Sequence, residues 1–319
     1  NNYLYELAGV KPVMTISRDY PFNDIYTHVL GYVSQPNEND ILQNEIIQQR
    51  FVPGMKIGKI GLEKTLENHL IGTNDIQRYE VNAYGKRINQ LEYQKGEQGS
   101  KIRLTIDTEV QKLSAKLLTN KAGSISVMDI YTGEIVAMCS SPSYDPNLFL
   151  FGISKDEWEL IRNNPLKPLI NKSISGLYSP GSTIKPIVAL SALENNIIKP
   201  NFKVRCTGKT ELYGQTFHCW KEKGHGVVSL KNAMKQSCDT YFYEITRLLG
   251  VDRLKITAKK FGLGEKVLGK YFKNEKQGLF PNTIWKKNNL GKGWVLGETL
   301  ITGIGQGYTQ TTPLQLCLM

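Results

Sequence analysis

The sequence contains no apolar run of the roughly 18 residues that a membrane-spanning helix requires, so no segment is built to cross a bilayer in that way. It begins without Met, and no signal-peptide pattern is recognised in its first residues. Its five cysteines, at 139, 206, 219, 238 and 317, are too sparse for a disulfide scaffold. RNP, zinc-finger-repeat and basic-helix signatures are absent, which argues against nucleic acid as a partner. There is no internal repeat, no low-complexity tract and no βαβ alternation.

What is present suggests a folded chain. The 319 residues correspond to about two domains at ~150 residues each. A hydrophobic fraction of 40% with 9% aromatics is enough to build cores, which excludes wholesale disorder. Forty basic residues against 29 acidic ones give a net charge of +11, spread among Asn and Ile rather than gathered in a stripe. Such a surface suits an anionic membrane or polymer, or serves solubility alone. Asn1-Asn2-Tyr3-Leu4 reads as the interior of something longer, and Pro313 to Met319 as the first turns of a helix. The chain is therefore expected to be a fragment with material missing at both ends.

Residues 1–99 are polar and turn-rich and form the first expected domain. The pattern predicts strands at 13–16 and 27–33, helix within 37–49 and within 58–70, and a strand at 79–83 followed by a turn at Gly85. Lys95 to Ser100 reads as a hinge. The second expected domain, 100–319, opens with a predicted strand at 102–106 and a helix from Thr108 capped by Asp107. A β-hairpin is predicted around Tyr131-Thr132-Gly133, and helices at about 182–194, 229–249 and 251–261. Strands followed by helices predict an α+β fold, a sheet packed against helices.

The stretch Tyr178-Ser179-Pro180-Gly181-Ser182-Thr183-Ile184-Lys185 carries the first chemical signal. A Pro-Gly turn places Ser182 at the start of a helix, and Lys185, three residues on, shares its face. A serine hydroxyl is a poor nucleophile near neutrality, and an adjacent amine held partly neutral can take its proton. The helix N-terminus offers N–H groups to a developing oxyanion. Ser182 as a plain N-cap with a solvated lysine is the competing explanation. Ser237-Cys238-Asp239 follows 55 residues after Ser182. Ser237 can relay a proton and Asp239 can hold Lys185, while capping of the next helix is the bland role.

Together these motifs resemble the penicillin-binding protein and serine β-lactamase superfamily. Val127-Met128-Asp129, Thr132 to Met138 and Ser140 to Asn147 look like the first hairpin of a class B penicillin-binding protein. Gly305-Gln306-Gly307-Tyr308 with Thr312 to Leu316 is similar to the same class, and Gly61-Leu62-Glu63-Lys64 to its N-terminal pedestal, a dimerisation-like domain. The Ser-x-Asp form, with Thr240-Tyr241-Phe242-Tyr243 behind it, resembles the elongation type. The resemblance implies a peptidoglycan D,D-transpeptidase. Ser182 would attack the penultimate D-Ala carbonyl of a stem peptide, Lys185 would act as general base, and Ser237 and Asp239 would complete the proton network. An amine of a neighbouring strand would resolve the acyl-enzyme in a 4→3-type cross-link, and β-lactams would acylate the same serine. It also implies a SEDS-type glycosyltransferase partner and a site of action at the periplasmic face of the bacterial inner membrane, with an anchor N-terminal to this sequence. One departure stands out. No K-[ST]-G tripeptide occurs anywhere in the chain, and without it one wall of the cleft and part of the oxyanion hole are missing. The chain alone is expected to be catalytically crippled.

Cys206, Cys219, His225 and Cys238 lie between and within these motifs at C-x12-C-x5-H-x12-C spacing. Three thiolates and an imidazole make a closed tetrahedral shell for structural zinc. Buried free cysteines with a satisfied histidine, or a Cys206–Cys219 disulfide, are the alternatives. Some elongation-type relatives carry a zinc site in this segment with carboxylate, His and Cys ligands, so the resemblance implies that Cys206 and Cys219 replace carboxylates. His218 is a weaker ligand candidate than His225. Cys139 is expected in the core, and Trp220, Tyr241, Phe242 and Tyr243 are expected to be packing residues. The acyl transfer itself needs no cofactor. Two other functions stay open: a non-catalytic, drug-binding scaffold for a cell-wall polymerase, and a serine β-lactamase, which would leave the pedestal unexplained.

Overall fold

A computed structural model of the chain describes residues 17–84 and 86–319. The strand expected at 13–16 and the turn at Gly85 lie outside the described residues. The first helices and strands, in chain order, are α1 (Thr27–Leu30), β1 (Val33–Ser34), α2 (Glu38–Leu42), α3 (Glu45–Arg50), β2 (Ile57–Gly58), α4 (Gly61–Thr65), α5 (Glu67–Leu70), β3 (Ile76–Val81) and β4 (Arg87–Gln94). Then come α6 (Thr108–Leu117), β5 (Gly123–Met128), β6 (Ile135–Ser141), α7 (Lys155–Asn163), α8 (Lys172–Ser175) and α9 (Lys185–Glu194). The remainder are β7 (Lys203–Cys206), β8 (Lys209–Leu212), β9 (Gln215–His218), β10 (Gly226–Ser229), α10 (Leu230–Lys235), α11 (Asp239–Leu249), α12 (Val251–Lys260), α13 (Thr283–Leu290), α14 (Leu296–Gly303) and α15 (Pro313–Leu318). The chain divides into two compact units, residues up to Arg103 with Ser143–Asn164, and Leu104–Pro142 with Pro165–Met319. The return of Ser143–Asn164 adds a crossing to the single boundary expected at 99/100.

In the first unit, buried polar side chains tie short elements together. The Tyr20 hydroxyl accepts from Val33 N at 3.1 Å and donates to Glu63 Oε1 at 3.4 Å. Glu67 accepts from Gly58 N. Returning residues are stitched in by aromatics and an amide. Tyr32 stacks on Phe149 at 4.1 Å, and Asn147 bonds the Tyr20 backbone in both directions. The strand expected over 27–33 is instead α1 followed by β1. Thr27, His28 and Val29 are buried and the Thr27 hydroxyl donates to Tyr144 O at 2.7 Å, so packing overrides their local β preference. The helix expected within 37–49 is two, because Asn44 stops one and caps the next by accepting from Ile46 N and Ile47 N.

In the second unit, Asp107 caps α6 by accepting from Glu109 N and Val110 N, both at 2.9 Å. β5 and β6 pair antiparallel, with α6 against β6 and α8 and α15 against β5. The strand expected at 102–106 joins no ladder. It runs beside β6 through Thr105 Oγ1 to Ile135 O at 2.7 Å and Asp107 N to Val136 O at 2.9 Å. A helical core gathers Ile184 and Val188 with Tyr241, Phe242, Ile245, Leu254 and Leu300, all 0% exposed. Burying each such side chain contributes about 1.5–3 kcal/mol. The architecture is α+β, but among the described residues the expected sheet is five separate two-stranded antiparallel pairs, with helices packed on the β5–β6 pair. The helix expected over 229–249 breaks at residues 236–238 into α10 and α11, where Ser237 takes φ +50°.

Candidate functional site

Ser182 lies in a 3-10 turn over Gly181–Ile184 that runs into α9. Lys185 N donates back to Ser182 O, so nucleophile candidate and lysine share one turn. Gly181 enters at φ +59°, which glycine adopts without penalty. The Ser182 side chain is exposed, and its hydroxyl has no hydrogen-bond partner among the described residues. Lys185 is the opposite, at 2% exposure, because α9 is apolar on nearly every side and is sunk in the core.

The break between α10 and α11 brings the second motif to that lysine. Lys185 Nζ donates to Asp239 Oδ1 at 2.7 Å, to Ser237 Oγ at 2.9 Å and to Ser237 O at 3.0 Å. The left-handed backbone at Ser237 lets one residue offer both its hydroxyl and its carbonyl. All three ammonium donors are used. Asp239 spends its other oxygen on Trp220 N at 3.0 Å, and Trp220 Nε1 donates to Gln236 O at 3.0 Å. Trp220 is 64% exposed, whereas Tyr241, Phe242 and Tyr243 are core. Trp220 too packs its ring, edge-on against His225 at 5.3 Å between centroids, and in addition its two N–H groups span the motif loop. Its signal in the sequence was its place directly after Cys219.

Two further pairings assemble the thiol–imidazole cluster. β7 pairs with β10, setting Cys206 opposite Gly226 and beside His225. β8 and β9 form a hairpin over Tyr213 and Gly214, both at positive φ, and deliver Cys219. The two knuckles approach closely only because Gly208 and Gly224 lack a Cβ: at 224 it would lie 2.2 Å from Cys206 O. One ligand atom each from Cys206, Cys219, His225 and Cys238 lies within 4.8 Å of the others. His225 Nδ1 is 3.5 Å from Cys206 Sγ and 3.6 Å from Cys219 Sγ. All five cysteines are free thiols, which removes the Cys206–Cys219 disulfide. Burial would push the Cys206 thiol up, but hydrogen bonds, led by that with Thr240, outweigh it and draw it down to about 6. Burial, with the neighbouring Cys206 and Cys219 adding to it, pushes Cys238 up to about 12. His218 stays outside the cluster, its carbonyl accepting from Tyr243 Oη at 3.1 Å. Cys139 is buried on β6.

An exposed serine one turn from a buried lysine, with a Ser-x-Asp loop closing on that lysine, invites comparison with known proteins. The penicillin-binding protein transpeptidase domain model matches residues 123–319, and the penicillin-binding protein dimerisation domain model matches residues 1–104. The chain belongs to the penicillin-binding protein transpeptidase family. Among its relatives, peptidoglycan D,D-transpeptidase MrdA of Acinetobacter baumannii is 36% identical over 316 residues, covering 98% of this chain and 47% of the relative. MrdA of Escherichia coli K12 is 37% identical, covering 98% and 50%. Pseudomonas aeruginosa PBP2, solved in complex with WCK 5153, superposes with a TM-score of 0.85 at 37% identity, covering 97% of this chain and 64% of that one. Helicobacter pylori PBP2, solved in complex with MreC, gives 0.87 at 36%, covering 94% and 56%. The chain spans about half the length of the curated relatives it matches.

Proposed function

We propose that the protein is a serine-type peptidoglycan D,D-transpeptidase acting during cell elongation. The observation that carries this is the closure of Ser237 and Asp239 on Lys185, one turn from Ser182, in a chain of this family. Ser182 Oγ adds to the penultimate D-Ala carbonyl carbon of a stem peptide. Its proton passes to Lys185 Nζ once that ammonium has given up one of the three protons it holds in the resting site, and the Ser237 hydroxyl relays a proton to the leaving nitrogen. The peptide C–N bond breaks and terminal D-Ala departs. An amine of a second strand then attacks the ester, forms the cross-link amide and returns the serine hydroxyl. Asp239 keeps Lys185 aimed at the motif loop throughout. β-Lactams open on the same serine and stop there.

Zinc fits the thiol–imidazole cluster. Ligands at 2.3 Å for sulfur and 2.0–2.1 Å for nitrogen stand about 3.6 Å apart around a tetrahedral ion, which agrees with the 3.5 and 3.6 Å found between His225 and two of the thiols. Cys206, Cys219, His225 and Cys238 would hold it with no open position, so its contribution is structural cross-linking. The chain's own residues carry that rigidity to the site: Cys238 sits between Ser237 and Asp239, and Trp220, next to Cys219, donates to Asp239. We place the native protein at the periplasmic face of the inner membrane beside a SEDS-type polymerase. Support comes from a structural neighbour described as coordinating polymerization and crosslinking in a peptidoglycan synthase complex, with a TM-score of 0.80 at 30% identity.

Labelling the native protein with a fluorescent penicillin tests the reading. Persistent covalent label that Ser182→Ala abolishes is the expected result. Label that turns over rapidly points to a β-lactamase, and no label at all shows that Ser182 is not acylated; either result rejects the transpeptidase.

A further inference from the structure

A second buried ion pair sits apart from Lys185 and Asp239. Lys286 on α13, 5% exposed, is bonded to Glu298 Oε1 on α14. The same oxygen accepts from Tyr308 Oη at 3.3 Å, and Glu298 Oε2 accepts from Val295 N at 3.0 Å, capping α14. Trp285 and Trp294 pack on the Tyr308 ring at 5.2 and 6.5 Å between centroids. Nothing in the acyl-transfer steps uses these groups, and a buried charge pair of this kind gives little net stability.

Its position shows what it restrains. Tyr308 lies midway along a segment that grips the nucleophile turn at two points. At one end Gly305 O accepts from Gly181 N at 2.9 Å. At the other, Thr311 and Tyr178 exchange a pair of backbone hydrogen bonds at 3.0 and 2.8 Å. The contact at Gly305 is backbone on backbone: a Cβ there would meet Gly181 O at 2.2 Å. Residues 178–181 therefore hang from residues 305–311 immediately before Ser182. The segment bends through Gly305 and Gly307, both at φ +71°, so it has little stiffness of its own. Backbone bonds tie it on either side, from Gln306 N to Ile301 O at 3.1 Å and between Gln310 and Leu279 at 2.7 and 2.9 Å, and between these ties the side chain that bonds outside the segment is Tyr308, to Glu298.

We propose that Glu298, held by Lys286, is a positioning residue that sets the Ser182 turn through Tyr308 and the Gly305–Gly181 contact. The inference rests on the reading of Ser182 as the nucleophile. Misplacement of a reacting atom by about 1 Å costs on the order of 100-fold in rate, so a partly loosened turn should cost less than that in acylation while leaving noncovalent capture of the ligand untouched.

The test uses the native protein and separates the acylation rate constant of a fluorescent penicillin from its prior noncovalent affinity. Tyr308→Phe deletes only one hydroxyl and should slow acylation about tenfold, with affinity and melting temperature kept. Glu298→Gln should slow it further, and the double variant should be no slower than Glu298→Gln alone, because both act through one contact. Unchanged acylation in a folded Tyr308→Phe protein overturns the proposal. So does an effect confined to affinity, or full additivity of the two substitutions. If instead the unsubstituted protein takes no label, or Ser182→Ala keeps it, the nucleophile assignment itself has failed, which is a different result.

Discussion

At the residue scale the site is governed by Lys185, a buried ammonium with all three protons committed. Such a charge is tolerated in a core only with its partners in place. Lys185→Ala would leave Asp239 facing an apolar helix, and we expect a loss of about 3 kcal/mol in unfolding free energy by urea titration, together with loss of penicillin labelling. Lys185→Arg keeps the charge but replaces a compact ammonium by a planar fork, and should also lose labelling while retaining most of the stability. Ser182 and Lys185 were legible in the sequence because a turn dipeptide and a three-residue spacing fix their relation locally. The break at Ser237 was not. Serine carries no signal for a left-handed backbone, and the 3.6-residue apolar pattern runs through both α10 and α11. Trp220 could be suspected from its place after Cys219, but its bonds to the motif loop could not, since its two anchors come from residues 16 and 19 positions away.

At the scale of elements, the cluster depends on two glycine knuckles and two strand pairs. Gly224→Ala adds a Cβ against Cys206 O at a residue already at φ +73°. We expect the variant to lose bound zinc by elemental analysis and to melt at lower temperature. The zinc proposed for this cluster predicts that a chelator lowers the melting temperature of the native protein and that zinc affinity falls as pH falls, because binding requires thiolates and neutral imidazole. In the first unit, burial above all, with Glu63 adding to it, raises Glu67 above the usual carboxylate range. A raised acid binds its proton more tightly folded than unfolded, so its contribution is present at low pH and lost as pH rises through the folded value. Glu67→Gln should flatten that fall in urea midpoint between acidic and neutral buffer. The capped α6 and the β5–β6 hairpin could be read from sequence because their signals are local: Asp107 before an amphipathic run, and Asp129 and Gly133 in the turn. The helix at 27–30 could not, since what decides it is Tyr144, far along the chain.

At the scale of the whole molecule, two compact units and two family matches describe a chain whose proposed nucleophile and its lysine, serine and aspartate partners all lie in the second unit. The return of Ser143–Asn164 to the first unit was invisible to composition, because polarity does not change there and the deciding contacts are Tyr32 with Phe149 and Tyr20 with Asn147. The central claim is that Ser182 is the acylated nucleophile, prepared by Lys185, Ser237 and Asp239. The measurement that bears on it most directly is peptide mass mapping of the native protein after incubation with a penicillin. One acyl adduct on the peptide carrying Ser182, absent from the Ser182→Ala variant, is the predicted result. An adduct on another residue, or none in a protein that is folded, would contradict the account.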